Sequence, residues 1–108
     1  MATRATETVD TDGLTATYHA ASGGGDKVTP GAGVAIHVKN GSGGSINVTL
    51  ATPGTVDALA IADRVVAVGA GAEGFIAVPE LYRNPTDGLA DITWSATTTI
   101  TFAVIRIN

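Results

Sequence analysis

Gly69-Ala-Gly71-Ala-Glu-Gly74 has the G-x-G-x-x-G spacing of a dinucleotide-binding turn and follows an apolar run, Val65-Val-Ala-Val68. Such a turn holds a pyrophosphate only where a helix begins in the glycines and aims its amide groups and dipole at the phosphates. Here the glycines lead into Phe75-Ile-Ala-Val-Pro79, a strand and a stop. Asp91, about twenty residues on where a ribose-binding acid would stand, therefore has no site to complete, and the segment reads as a loop between strands. His19 and His37 are the two histidines. A catalytic triad would set one of them beside Ser22, Ser42, Ser45 or Ser95 with an acid behind it, but no nucleophile-elbow pattern accompanies these serines. Both read as strand-face histidines, open to solvent or at a subunit contact; a two-histidine metal site shared between subunits is the weaker alternative.

The carboxylates are equally plain. Asp10-Thr-Asp12-Gly13, Asp26, Asp57, Asp63, Asp87 and Asp91 could offer oxygens to Ca²⁺, yet none belongs to a full D-x-[DN]-x-[DN]-G loop, and Asp before Gly is ordinary turn chemistry. Glu73 and Glu80 are not placed by sequence as a glycosidase pair. Asn40-Gly-Ser42 and Asn47-Val-Thr49 are formal glycosylation sequons, and Pro85 excludes Asn84-Pro-Thr86. With no apolar stretch in Met1 to Asp10, no secretory signal is expected and the two sequons are coincidental. Cysteine is absent, which removes a thiolate nucleophile, a Cys-type zinc site and any disulfide framework. The expectation is a non-enzyme with no catalytic residue, no metal and no cofactor.

The elements that would carry any site are strands. Val34, Ile36 and Val38 alternate with Ala35, His37 and Lys39; after Asn40-Gly-Ser-Gly-Gly44, Ile46, Val48 and Leu50 alternate with Asn47 and Thr49. The Asn-Gly step supplies positive φ cheaply, so this pair reads as a hairpin. Val65–Val68 and Phe75–Val78 are expected to pair across the glycine loop. Ile92–Ala96 and Ile100–Val104 are expected to close the chain as a last hairpin. Leu14 to Ala21, around Tyr18, reads as a first strand and Val28 as a short one. Val56 to Arg64 has helical composition but only about two turns of length, and reads as an irregular crossover. One helical turn is expected at Leu81 to Arg83. Of the aromatics, Tyr18, Tyr82, Phe75, Phe102 and Trp94 are expected in the core, Trp94 in phase with Ile92, unless several share an exposed face as a sugar platform.

The sum is one all-β domain: an antiparallel sandwich or small barrel of about seven or eight short strands, of immunoglobulin or jelly-roll kind, over residues 14–108. Residues 1–13 are polar and Thr-rich and read as a flexible arm, loose alone or ordered only against a partner. At 108 residues a single core suffices without staples. The net charge is −4 and the six cations, Arg4, Lys27, Lys39, Arg64, Arg83 and Arg106, are scattered singly. Counterion release needs clustered positive charge, so nucleic acid is not an expected partner, and no apolar run approaches membrane-spanning length. Only 15% of residues are charged, so much of the surface must be neutral and small-residued, which suits packing against copies or a large partner.

The runs Gly25-Asp-Lys-Val28, Val34 to Ser42, Ile46 to Val56, Arg64 to Gly71, Phe75 to Pro79 and Asp87 to Ala96 together resemble small β-sandwich structural proteins of tailed bacteriophages, in particular head-decoration or cement proteins. The resemblance covers residues 14–107 as a pattern. It implies a protein made in the host cytoplasm and carried on the capsid exterior, homo-oligomeric, a trimer suiting threefold positions, and bound to the major capsid protein so as to stabilise the shell. In that setting the arm, through Thr3, Arg4, Thr6, Thr8 and Val9, would add a strand to a capsid or neighbouring-subunit edge. A head–tail joining or tail protein, and a carbohydrate-binding or host-adhesion sandwich, are the alternative functions.

Overall fold

The computed structural model describes residues 2–60 and 62–107. Met1, Ile61 and Asn108, which the expected arm, crossover and sandwich domain include, lie outside the described residues. Twelve strands are present among those described: β1 Ala2–Thr3, β2 Glu7–Val9, β3 His19–Ala20, β4 Asp26–Val28, β5 Val34–Asn40, β6 Ile46–Leu50, β7 Thr55–Val56, β8 Leu59–Ala60, β9 Arg64–Val68, β10 Glu73–Ala77, β11 Ala90–Trp94 and β12 Ile100–Ile107. One 3₁₀ turn, Glu80–Tyr82, stands where a helical turn was expected. The architecture is the expected β-sandwich. Sheet A runs β1-β4-β11-β6-β9; sheet B runs β10-β5-β12-β2, with β3 also on β12; among the described residues β7 and β8 pair only with each other. The molecule is 20 Å through its thinnest direction, as two layers spaced by about 10 Å with their side chains require.

Alternation decides which side chains meet. Val34, Ile36, Val38, Ile100, Phe102 and Val104 from sheet B face Val28, Ile46, Val48, Leu50, Val68 and Ile92 from sheet A, all buried. Six of these are Val, whose β-branched side chains suit a pleated surface and lose little rotamer freedom on it. At about 25 cal/mol per Å² of apolar area removed from water, this seam is the main source of stability.

The strands lie where the alternation puts them, but their partners differ from expectation in a consistent way. β5 pairs with β10 and β12, whereas β6 pairs with β9 and β11. The three links expected as hairpins, 41–45, 69–72 and 95–99, are therefore arches that carry the chain from one sheet to the other. Sheet A places β11, β6 and β9 in the same order in which sheet B places β12, β5 and β10, so the three arches stack side by side.

Asn40 locks this end. Its side chain is 1% exposed; Nδ2 donates to the carbonyls of Gly44, Val68 and Gly69 at 2.9, 3.0 and 3.1 Å, and Oδ1 accepts from the Ser42 amide and hydroxyl. The third arch joins through the Gly41 amide, which donates to Thr99 O at 3.0 Å. A Cβ at Gly41 would stand 3.1 Å from that same oxygen, so the close approach calls for glycine. A two-residue turn would have left Asn40 exposed at a hairpin tip. The longer glycine link lets its amide go inside and bond three carbonyls.

Two further segments depart from expectation. Within Val56 to Arg64, β7 and β8 form a hairpin turning on Asp57 and Ala58, with φ of +52° and +63°, the double positive φ of a type I′ turn. The expected first strand shrinks to His19–Ala20, because only there does the chain reach the edge of β12.

Candidate functional site

The residues read as a partner-binding arm fold onto the chain's own edges. β1 adds in parallel to β4, Thr3 standing opposite Lys27, and β2 adds in parallel to β12, with Thr8 opposite Arg106 and Val9 opposite Ile107. Thr3 and Thr8 are exposed, whereas Arg4, Thr6 and Val9 are half-buried, and the Thr6 hydroxyl has no hydrogen-bond partner among the described residues. This pairing has a physical cause. Sandwich edges present unpaired amides and carbonyls, and the nearest extended segment able to cover them is the chain's own.

Arg4 fixes the crossing from sheet A to sheet B. Its Nε donates to Asp26 Oδ1 at 3.3 Å and its Nη2 to the Ala20 carbonyl at 3.2 Å. Asp26 is fully buried and also accepts from the Ser22 amide and hydroxyl, both at 3.0 Å, and from Trp94 Nε1 at 2.9 Å. A buried carboxylate is tolerated only with such company. Trp94, expected buried, is half-buried: its ring packs on Phe102 at 4.9 Å between centroids, and its indole nitrogen is committed to Asp26.

The outer face of sheet B gathers the side chains with most chemistry. His37 Nε2 lies 3.0 Å from Glu73 Oε1, and Nδ1 lies 2.5 Å from the Tyr18 hydroxyl. A carboxylate only accepts, so in the neutral ring Nε2–H donates to Glu73 and Nδ1 accepts from the phenol. Phe75 stacks on the imidazole at 4.2 Å and 7°, and Lys39 Nζ stands 3.9 Å from the Tyr18 ring centre. Sequence reasoning missed this group because it depends on pairing: β10 sets Phe75 opposite His37 and Glu73 opposite Lys39. The carboxylate–imidazole–phenol chain lies flat on the sheet with Glu73 more than half exposed, and it clamps the segment before β3 to that face. Of the serines considered as partners of histidine, Ser22 instead bonds Asp26, Ser42 bonds Asn40, and Ser95 Oγ accepts from the Asn47 amide.

Phe75, expected in the core, is 69% exposed, and Tyr18 is half-buried on the outer face; Tyr82 and Phe102 are buried as expected. Phe75 belongs to a second feature, the flank where β9 ends sheet A and β10 ends sheet B. Val65 at 53% and Leu81 at 58% are exposed there too. Neither strand has a further neighbour among the described residues, so the flank combines unpaired backbone with apolar side chains.

The remaining charges staple loops. Lys27 Nζ bonds Asp87 at 2.6 Å and Asp91 at 2.5 Å, which holds Lys27 above the ordinary lysine range and Asp87 below the ordinary aspartate range. Arg83 grips Glu80 through two bonds of 2.6 and 2.7 Å and lowers its carboxyl, and also donates to the carbonyls of Gly88 and Pro30. The glycine loop 69–74 ends in β10, a strand, as its sequence predicts, and it carries no helix N-terminus. Among the described residues no cluster of three or more His, Cys, Asp and Glu side chains is placed to hold a metal, and no helix is long and apolar enough to cross a membrane. The chain matches no known family model, no curated protein and no solved structure.

Proposed function

We propose that the chain is a non-catalytic structural protein of a tailed-phage virion, a head-decoration protein that is made in the host cytoplasm, binds the major capsid protein on the shell exterior as a homo-oligomer, and stabilises the head. The observation that carries the reading is the bare flank: two unpaired sandwich edges with Val65, Phe75 and Leu81 exposed. A partner seated there would cover three exposed apolar side chains together, and burying such side chains stabilises by about 1.5–3 kcal/mol each. Many copies on a lattice convert modest contacts into firm attachment. Cosedimentation with empty shells of the cognate phage tests it: saturable binding supports the reading, and protein left wholly in the supernatant overturns it.

A glycan-binding module is the second reading, favoured by one observation. Phe75 has one ring face stacked on His37 and is otherwise largely open, with Tyr18, Lys39 and Glu73 beside it as polar neighbours. A pyranose could stack on such a ring. Titration of host-surface oligosaccharides, with the resonances of Phe75 and His37 followed by NMR, separates the two: saturable shifts at those rings that vanish in Phe75→Ala would favour adhesion.

A further inference from the structure

The open flank holds clefts, and the chain presents an exposed apolar hairpin close by in sequence. Two clefts of about 500 and 440 Å³ share Arg64, Leu81 and Tyr82: the first runs along the start of β9 beside Asp63 and Val65, and the second lies between β9 and β10 beside Phe75 and Ile76. Arg64 lies exposed in this groove, and its guanidinium makes no ion pair or hydrogen bond among the described residues. Close by in sequence, the β7–β8 hairpin presents Leu59, 72% exposed, beside Asp57 at its turn, also exposed. Leu59 is the most exposed of the large apolar side chains described.

We propose that the β7–β8 hairpin of one copy docks into the β9–β10 groove of a second copy, Leu59 seating against Phe75 and Leu81 while Asp57 meets Arg64. Three matches point to a second copy as the occupant. The knob and the groove are both apolar, so contact removes both from water. The hairpin offers a carboxylate beside its leucine and the groove the Arg64 guanidinium, while Asp63 in the same cleft is engaged by the Thr52 amide, so a charge pair favours this approach. Hairpin and groove are made of different residues of the same chain, so every copy would supply both halves of the contact, a heterologous interface that closes into a ring when the rotation allows. An isolated hairpin of two-residue strands is marginal alone, and docking would hold it.

The inference rests on the reading of the protein as a self-assembling structural module, and the test separates the two. Sedimentation equilibrium of the full chain is measured for the wild type, Leu59→Asp, Asp57→Arg, Arg64→Asp and the double charge exchange, with circular dichroism and thermal melting confirming that each is folded. The expected result is concentration-dependent association of the wild type, weakened at least about tenfold by Leu59→Asp and by each single charge reversal, and largely restored in the double exchange. A wild type that stays monomeric, or association that Leu59→Asp leaves unchanged, overturns the docking. Shell cosedimentation of the same variants is scored separately: a monomeric wild type that still binds shells leaves the structural role standing and removes the docking. Association that depends on Leu59 without shell binding does the reverse.

Discussion

The two long flanks of the sandwich are built from similar strands and finished in opposite ways. On one, the edges of β4 and β12 are covered by β1 and β2, and the crossing between them is anchored through Arg4 on a fully buried Asp26. On the other, β9 and β10 end their sheets with apolar side chains in the open. The difference lies in the sequence that borders each edge. The covering segments, Ala2–Thr3 and Glu7–Val9, carry Thr3, Glu7 and Thr8, which tolerate water on their outer side, whereas Arg64-Val-Val-Ala-Val68 has a single charge at its start. The chain thus adds its own short, polar strands to one flank and, among the described residues, none to the other.

The covered flank is most directly broken at Asp26. Asp26→Ala leaves the Trp94 indole and the Ser22 amide without their acceptor and Arg4 without its counter-charge, and a loss of about 3–5 kcal/mol is expected in urea denaturation. A loss below about 1 kcal/mol would mean that the covering segment is not held from within. Arg4→Ala is milder, because Asp26 keeps its bonds to Ser22 and Trp94; a loss of about 1.5–3 kcal/mol is expected, with faster amide exchange at Arg106, whose amide faces β2 while that of Ile107 is bonded to Gly33.

Acid acts on both flanks. Asp87, held by Lys27 of β4, and Glu80, held by Arg83 beside the bare groove, both titrate below their ordinary values of 3.8 and 4.5. A carboxyl that is more acidic folded than unfolded contributes stability above the unfolded value and loses it as the pH falls through the folded one. Both pairs are therefore intact at neutral pH, and unfolding midpoints should decline from about pH 5 downward. Asp87→Asn should flatten part of that decline and Glu80→Gln another part; a profile unchanged in both variants would remove these pairs from the account. The smallest effect is expected on the bare flank, where Val65→Thr should shift stability by no more than about 0.5 kcal/mol, as at any exposed site free of partners. A larger loss would show that the flank already contributes to the folded monomer.

Strand positions and the inward set were legible because period-two alternation survives in Val34 to Lys39, Ile46 to Leu50 and Ile100 to Val104. Pairing was not. A hairpin and an arch present the same alternation and the same glycine-rich link. They differ in whether Asn40 ends outside on a turn or inside on three carbonyls, which local sequence does not record. The hairpin at Asp57 and Ala58 was hidden because Asp-Ala lacks the glycine that usually marks two positive φ values. The His37 group was invisible for the same reason as the arches: Tyr18, Glu73 and Phe75 reach the histidine only through the register of β10 and the path of the segment before β3. Arg4 was singled out, but for a foreign edge, since nothing in its neighbourhood announces the buried aspartate twenty-two residues away.

The stacked arches also bear on how the chain reaches this state. With 41–45, 69–72 and 95–99 each passing between layers, none of these three adjacent strand pairs can zip up locally as a starting ribbon. Loop closure must be met before cross-layer packing rewards it, so the polypeptide should assemble slowly, in milliseconds to seconds, and in a single concerted event. Once formed, the same arrangement ties the two layers together at three neighbouring points, and neither can peel away without the other.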